Sequence, residues 1–154
     1  MWSPTEPVYR IATPTPAKAW RSRDGRYRLV GNRCEDCVLP FFPKRRVCPQ
    51  CHSRSLTETV LAPYGRVVSA AEDRTPLIGH VGRDSRPFAI VALEDGPCVL
   101  TELVDVDTGT DAGGEGGPTT VTEGTEVELV VRKWRREASG PYQYGYKFRP
   151  RRAR

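Results

Sequence analysis

The sequence lacks any apolar run close to the roughly 20 residues that a membrane-spanning helix needs. Its N-terminus, MWSPTEPVYR, has no apolar segment behind a basic start, so nothing there indicates a secretory signal peptide. We therefore expect a cytoplasmic protein whose thiols are reduced and which has no membrane partner.

Catalytic signatures are also missing. The sequence has no nucleophile elbow, no phosphate-binding loop and no dinucleotide fingerprint. It contains only 2 histidines, His52 beside a cysteine and His80 in a glycine-flanked loop. A loop histidine can act as a general base, but no nucleophile or orienting carboxylate stands at a recognisable spacing from it. We expect no catalytic residue and no complete enzyme in this chain, with a freestanding enzyme as an alternative.

Glycine and proline are abundant, with 14 of each among 154 residues, and only 38% of the residues are apolar. This composition favours short strands and many turns over long helices, so a mainly β fold is expected. Alternation predicts strands at 56–62, 66–74, 88–94, 98–106, 125–136 and 142–148. The third and fourth of these form the clearest hairpin. The set resembles a five-stranded Greek-key barrel of the OB type.

Four of the five cysteines form two pairs, Cys34-x-x-Cys37 and Cys48-x-x-Cys51, with ten residues between the pairs. Two residues between thiols let both sulfurs of one turn face a single ion, and the intervening segment can fold back to bring in the second pair. Four thiolates leave no position for water. We therefore predict a structural Zn²⁺ site in a rubredoxin-like ribbon that is too small to fold without the metal.

Other readings of these cysteines remain open. Iron can bind the same four ligands, two disulfides would need an oxidising compartment, and a redox-active pair would need a thioredoxin-like α/β setting. The fifth cysteine, Cys98, lies inside the apolar strand at 98–106, where a free cysteine is usually a small buried hydrophobe. A reactive role for Cys98 is the alternative.

Composition divides the chain into segments. They are a proline-rich leader at 1–19, the zinc ribbon at 20–55, the barrel at 56–150 and a basic tail at 151–154. Residues 20–33 are predicted to be a short extended ribbon that turns at Asp24-Gly25, and 107–118 is a flexible, acidic, glycine-rich loop.

Charge is distributed unevenly along the chain. The net charge is +6 over residues 21–54, −10 over 55–131 and +8 over 132–154. Such polarity favours a partner that docks in one orientation. A solvated face and an unstructured basic tail are the alternative explanation.

The order of these motifs resembles the DUF35 family of zinc-ribbon OB-fold proteins. The resemblance runs from about residue 27 to 150. In the ribbon it rests on the two cysteine pairs together with Pro40, Pro43, Arg45-Arg46, Pro49 and Ser53. In the barrel it rests on Tyr64-Gly65-x-Val67-x-Ser69, Pro87-Phe88, Val91-x-Leu93-Glu94-x-Gly96, Gly124-x-x-Val127, Arg132 and Phe148-Arg149-Pro150. Family ribbons often have glycine after each cysteine pair, where this chain has Val38 and His52. Because Val is costly at positive φ, we expect the first turn to be built differently.

The resemblance implies an accessory subunit that binds a thiolase-fold or ketoacyl-synthase-III-like enzyme. The partner would carry the catalytic groups of an acyltransferase, thiolase or aldolase, and the accessory subunit would support stability and substrate access. A CoA thioester would be the substrate of the complex, and arginines of the positive segments would suit its phosphates. The candidate partner- or substrate-binding residues are Phe41, Phe42, Arg45, Arg46, Arg132 and Trp134.

Two alternatives bear on these residues. OB barrels also bind single-stranded nucleic acid through stacking aromatics and a basic groove. Trp134, Tyr142, Tyr144, Tyr146 and Phe148 would form that platform, but the acidic middle of the barrel argues against nucleic acid as the partner. The apolar run at 39–43 could be a binding surface or could simply pack the ribbon onto the barrel.

Overall fold

The computed structural model describes residues 20–73, 86–106, 121–136 and 142–151. The leader at 1–19, His80 and most of its loop, the glycine-rich segment at 107–118 and residues 152–154 lie outside these ranges. Within the described part of the chain, no helix is long and apolar enough to cross a membrane.

A short helix stands where an extended ribbon was predicted for residues 20–33. Helix α1 spans Arg23–Arg28, with Asp24 in its first turn and basic residues in its last turn, as the helix dipole favours. Leu29 ends it with φ 49, and its backbone N–H donates to the carbonyl oxygen of Asp24. The prediction was wrong for Arg23–Arg28, because six residues are too few for their period to separate helix from strand; the end of the predicted segment is extended, since β1 begins at Val30.

The ribbon is a three-stranded antiparallel sheet. Its strands are β1 (Val30–Cys34), β2 (Pro40–Phe41) and β3 (Leu56–Val60), in the order β2-β1-β3. The central strand β1 is hydrogen-bonded on both sides and ends at Cys34, so the first cysteine pair begins at the end of this strand.

The barrel follows as a curled sheet of five antiparallel strands. These strands are β4 (Tyr64–Asp73), β5 (Arg86–Leu93), β6 (Cys98–Glu102), β7 (Glu126–Arg136) and β8 (Tyr142–Pro150), in the order β6-β5-β4-β7-β8. The hairpin of β5 and β6 confirms the prediction for 88–94 and 98–106. The predicted fold, a zinc ribbon followed by a five-stranded OB-type sheet, is thereby confirmed.

The sheet curls until its two edge strands meet. Leu103, just after β6, forms a parallel bridge to Phe148 of β8, and the N–H of Val104 donates to the Phe148 carbonyl oxygen at 2.8 Å. A parallel contact between the third and fifth barrel strands closes the OB topology. We call this junction the seam.

One apolar core fills the barrel and reaches the helix. Phe148, Val91 and Val127 are fully buried in it, and Leu29 at the end of α1 joins the same cluster. The N–H of Leu61 donates to the carbonyl oxygen of Leu29 at 3.2 Å, which ties the helix end to the segment entering the barrel. The helix and barrel therefore share buried surface.

Candidate metal centre and the adjoining groove

Two similar turns carry the cysteine pairs. The N–H of Cys34 donates to the carbonyl oxygen of Leu39 at 3.0 Å, and the N–H of Cys48 donates to that of Ser53 at 2.9 Å. In both turns the bond closes over five residues of sequence. The equivalent turns point their thiols towards each other.

The residues after the two pairs adopt the left-handed conformation without glycine. Val38 has φ 61 and His52 has φ 59. The expectation that the first turn would be built differently was therefore wrong. The hydrogen bond from Cys34 to Leu39 sets the path of the turn, and Val38 accepts the strain, which costs about 1–2 kcal/mol for a residue with a Cβ.

The four thiols form a site for a metal ion. Their sulfur atoms all lie within 4.8 Å of one another, with 3.4 Å between Cys34 and Cys51 and 3.5 Å between Cys37 and Cys48. Four sulfurs arranged tetrahedrally at 2.3 Å from a zinc ion stand about 3.8 Å apart. The set therefore fits a closed Cys₄ zinc site, and none of the four thiols forms a disulfide.

Backbone amides favour the thiolate at this site. The N–H of Cys51 lowers the pKa of Cys48 to about 6, with a further contribution from the N–H of Gln50 and against the opposing effect of burial. Thiolate is the form that binds zinc. The backbone N–H of Ser53 acts in the same direction on Cys51, but the neighbouring Cys34 thiol and burial outweigh it and raise the pKa of Cys51 to about 12. The backbone therefore prepares Cys48 as a thiolate but not all four ligands.

The two adjacent phenylalanines point to different cores. Phe41 is only 6% exposed and packs with Cys34 and Cys48 in the ribbon. Phe42 packs against the barrel core, and its ring meets that of Tyr146 edge-on at 5.8 Å. Phe41 therefore belongs to the core of the ribbon itself, whereas Phe42 packs the ribbon onto the barrel.

A groove of about 600 Å³ opens where the ribbon, α1 and the barrel strands β6, β7 and β8 meet. Its lining comes from α1 and the turn before it, β1, the loop after β2, and strands β6, β7 and β8. The residues are Arg21, Ser22, Asp24, Gly25, Arg26, Val30, Phe42, Pro43, Lys44, Cys98, Val99, Leu100, Trp134 and Tyr146. We call it the junction groove.

Cys98 lies in the wall of the junction groove, and its side chain is exposed. The prediction of a buried cysteine was wrong. Cys98 pairs with Ala92 on the outer face of the sheet, whereas its neighbour Val99 pairs with Val91 in the core. Alternation alone cannot tell which face of an apolar strand is buried when both faces carry apolar residues.

Trp134 forms part of the groove wall through a bulge in β7. The register with β8 shifts between Lys133 and Arg135, which leaves Trp134 as the extra residue. Its indole Nε1 donates to the Tyr146 carbonyl oxygen at 3.2 Å, and a Cβ on Gly145 would lie 2.5 Å from its ring. Arg26 of α1 lies 5.4 Å above the indole. Sequence reasoning named Trp134 but missed Arg26 and Gly145, which no local pattern connects to it.

Four of the five aromatic residues proposed for nucleic-acid stacking have described side chains, and these four do not form one exposed surface. Phe148 is fully buried, Tyr146 is half-buried, and Trp134 and Tyr144 are 37% and 40% exposed. Burial raises the pKa of the Tyr146 hydroxyl. Their arrangement fits packing in the core and lining of the groove better than a platform on which bases could stack.

The three arginines singled out from the sequence have different surroundings. Arg45 and Arg46 are exposed on the ribbon, where the Arg45 backbone N–H donates to Asn32 Oδ1 at 2.9 Å. Arg132 pairs with the Asp105 carboxylate at 3.0 Å, and Arg149 lies 3.5 Å from the same group. Burial disfavours the Asp105 carboxylate, but the two arginines outweigh it and hold its pKa below the usual range.

Ion pairs within the barrel neutralise much of the charge asymmetry seen in the sequence. Basic residues of β8 and the position after it reach acidic residues of the middle segment: Arg149 with Glu128 at 2.7 Å, Lys147 with Glu102 at 2.7 Å and Arg151 with Glu126 at 3.8 Å. Within the described residues, the exposed ribbon arginines Arg33, Arg45, Arg46 and Arg54 have no ion-pair partner. Among the described residues, positive charge without an ion-pair partner therefore lies mainly on the ribbon and α1.

Comparison with known proteins places these features in context. Residues 21–57 match the family of ChsH2 rubredoxin-like zinc ribbon domains. The chain is 40% identical over 135 residues to a DUF35 domain-containing scaffold protein of Pyrococcus furiosus, an alignment that covers 87% of this chain and 91% of the relative.

Two further proteins are similar over ribbon and barrel together. The chain is 28% identical over 122 residues to benzoylsuccinyl-CoA thiolase subunit BbsA of Thauera aromatica, which covers 79% of this chain and 75% of that protein. A chain of the Ltp2-ChsH2(DUF35) aldolase has the same fold, with a TM-score of 0.60 at 24% identity over 91% of this chain and 97% of that chain.

Proposed function

The chain belongs to the DUF35 family, and we propose that it is a non-catalytic accessory subunit of a thiolase-fold or ketoacyl-synthase-III-like enzyme. The observation that carries the proposal is the similarity to a thiolase subunit across 79% of the chain. The relative in Pyrococcus furiosus is itself described as a scaffold protein. The complex would act in the cytoplasm as an acyltransferase, thiolase or aldolase.

In this proposal the zinc ion is structural. Cys34, Cys37, Cys48 and Cys51 would hold it, and four thiolate ligands leave no position for a substrate. The ion contributes folding free energy, on the order of 10 kcal/mol in isolated zinc-finger peptides. It would hold the ribbon rigid and keep Phe42 against the barrel, so that the ribbon and the barrel act as one body.

A CoA thioester would be the substrate of the complex. The exposed guanidinium groups of Arg45 and Arg46 would suit its phosphates, because arginine forms paired hydrogen bonds to phosphate oxygens. Arg132 suits this role less well, since it pairs with Asp105. Charge reversal at Arg45 and Arg46 should weaken acyl-CoA binding by the complex, whereas reversal at Arg132 should act mainly on stability.

Affinity purification of the tagged chain from its own cells, read by mass spectrometry, tests the proposal. We expect a thiolase-fold enzyme at a fixed stoichiometry that survives a gel-filtration step. Purified complex should show acyl-CoA-dependent activity that neither subunit shows alone. Recovery of the chain alone, or bound to nucleic acid, would contradict the proposal.

A further inference from the structure

The junction groove has exposed apolar walls that the metal centre does not explain. Leu100 is 67% exposed and Trp134 is 37% exposed, although both are large apolar side chains. A smaller recess of about 280 Å³ shares Leu100, Trp134 and Tyr146 with it and extends to Phe88. Contiguous exposed apolar surface with a polar rim marks an interaction site.

The rim of the groove is positively charged. Arg21, Arg26 and Lys44 line it, and the one acidic group among the lining residues is Asp24. Asp24 faces Arg23 at 3.7 Å, and Lys44 pairs with Glu58 at 2.7 Å. Arg21 and Arg26 therefore present positive charge that no carboxylate among the described residues neutralises.

The groove wall is also held in place before any partner binds. The indole of Trp134 is fixed by its hydrogen bond to the Tyr146 carbonyl oxygen and lies against Gly145. Arg26 stacks over the same ring. A side chain that is already ordered loses little entropy on binding, which raises affinity.

We propose that the junction groove receives an acidic, apolar segment of the catalytic subunit. The inference rests on the proposed function and adds to it the surface that makes the contact. Charge complementarity selects the occupant: its carboxylates would pair with Arg21 and Arg26 while its apolar side chains cover Leu100 and Trp134. Tryptophan and arginine are the residues that most often dominate the binding energy of an interface.

Two matched pairs of variants test the docking site in the purified complex. Arg26→Glu reverses a charge inside the groove, and Arg54→Glu makes the same change on the exposed ribbon outside it. Leu100→Ser removes an exposed apolar contact in the groove, and Val60→Ser does so on β3. Binding to the purified catalytic subunit is measured by calorimetry. We expect each groove variant to weaken binding by about tenfold or more and each control by less than about threefold.

Cys98 gives an independent measurement, because it is exposed in the groove wall while the other four cysteines form the metal site. A benzophenone maleimide attached to Cys98 should cross-link to one acidic, apolar segment of the catalytic subunit on irradiation. Peptide mass spectrometry identifies that segment. A variant with Cys98→Ser and Val60→Cys, labelled in the same way, serves as the control outside the groove.

The outcomes separate this inference from the proposed function. If the wild-type chain forms no complex, both fall. If it forms the complex and the groove variants, with zinc content and circular dichroism unchanged, bind as well as their controls, only the groove proposal falls. The groove proposal is also overturned by a second result: the isolated groove variants no longer bind acyl-CoA, yet they keep full affinity for the catalytic subunit.

Discussion

Gly145 and Trp134 offer a quantitative test of how the barrel is built. A Cβ on Gly145 would stand 2.5 Å from Cε2 and 2.9 Å from Nε1 of the Trp134 indole. Real Cβ contacts are never that short, so Gly145→Ala must displace the ring. The displaced indole would lose its hydrogen bond to the Tyr146 carbonyl oxygen and its edge-on contact with that ring at 6.1 Å.

We expect Gly145→Ala to lower the free energy of unfolding by about 1–3 kcal/mol, the usual cost of overpacking. The sign should reverse when the indole is absent. In a Trp134→Ala background the three nearest atoms to this Cβ are gone, and alanine is then favoured over glycine in a strand by about 0.5–1 kcal/mol. The two backgrounds should therefore differ by about 1.5–4 kcal/mol in the effect of one methyl group.

Urea unfolding followed by circular dichroism on the four zinc-loaded proteins of this double-mutant cycle measures the difference. Zinc content serves as the control that the ribbon is intact in each variant. An equal cost of Gly145→Ala in both backgrounds would refute the reasoning, because it would show that the indole does not lie over Gly145.

Three further predictions follow from the metal centre and the barrel surface. Val38→Gly should stabilise the ribbon by up to about 1 kcal/mol, because relief of positive-φ strain exceeds the entropy cost of glycine. The rate at which a chelator removes zinc should therefore fall in this variant, whereas Val60→Gly on β3, the control, should not lower it. Cys48→Ser should abolish stoichiometric zinc binding, as seen by metal analysis, while Cys98→Ser should leave it unchanged. Asp105→Asn should cost stability at pH 7, where the wild-type carboxylate is ionised. The pKa of Asp105 in the folded protein lies below the unfolded value of about 3.9. The stability cost of the substitution should therefore shrink as the pH falls through the folded pKa. A cost that stays constant down to pH 3 would contradict the assigned ion pairs.

The acidic middle of the chain shows why linear charge is a poor guide to a docking surface. The sequence shows −10 over 55–131 and +8 over 132–154, which favoured an oriented partner. In the barrel, β8 places Lys147 and Arg149 beside Glu102 and Glu128. The opposite charges of these two segments therefore meet within the fold, so the net charge counted along the chain does not describe the surface.

The sequence alone determined the features that depend on local spacing. Two residues between thiols were enough to predict the cysteine turns, and the alternation at 88–94 and 98–106 was enough to predict the hairpin of β5 and β6. Both features form within a short stretch of chain, so the spacing of the residues is enough to predict their local geometry. The family resemblance added the order of ribbon and barrel.

Only the tertiary structure decided the features that join distant residues. The bridge from Leu103 to Phe148, the pairing of Arg132 with Asp105 and the contact of Arg26 with Trp134 link elements far apart in the chain. Exposure of Cys98 likewise follows from which face of β6 the curled sheet buries. Such relations depend on strand order and on how the sheet closes, and these are set by the packing of the whole core rather than by any local period.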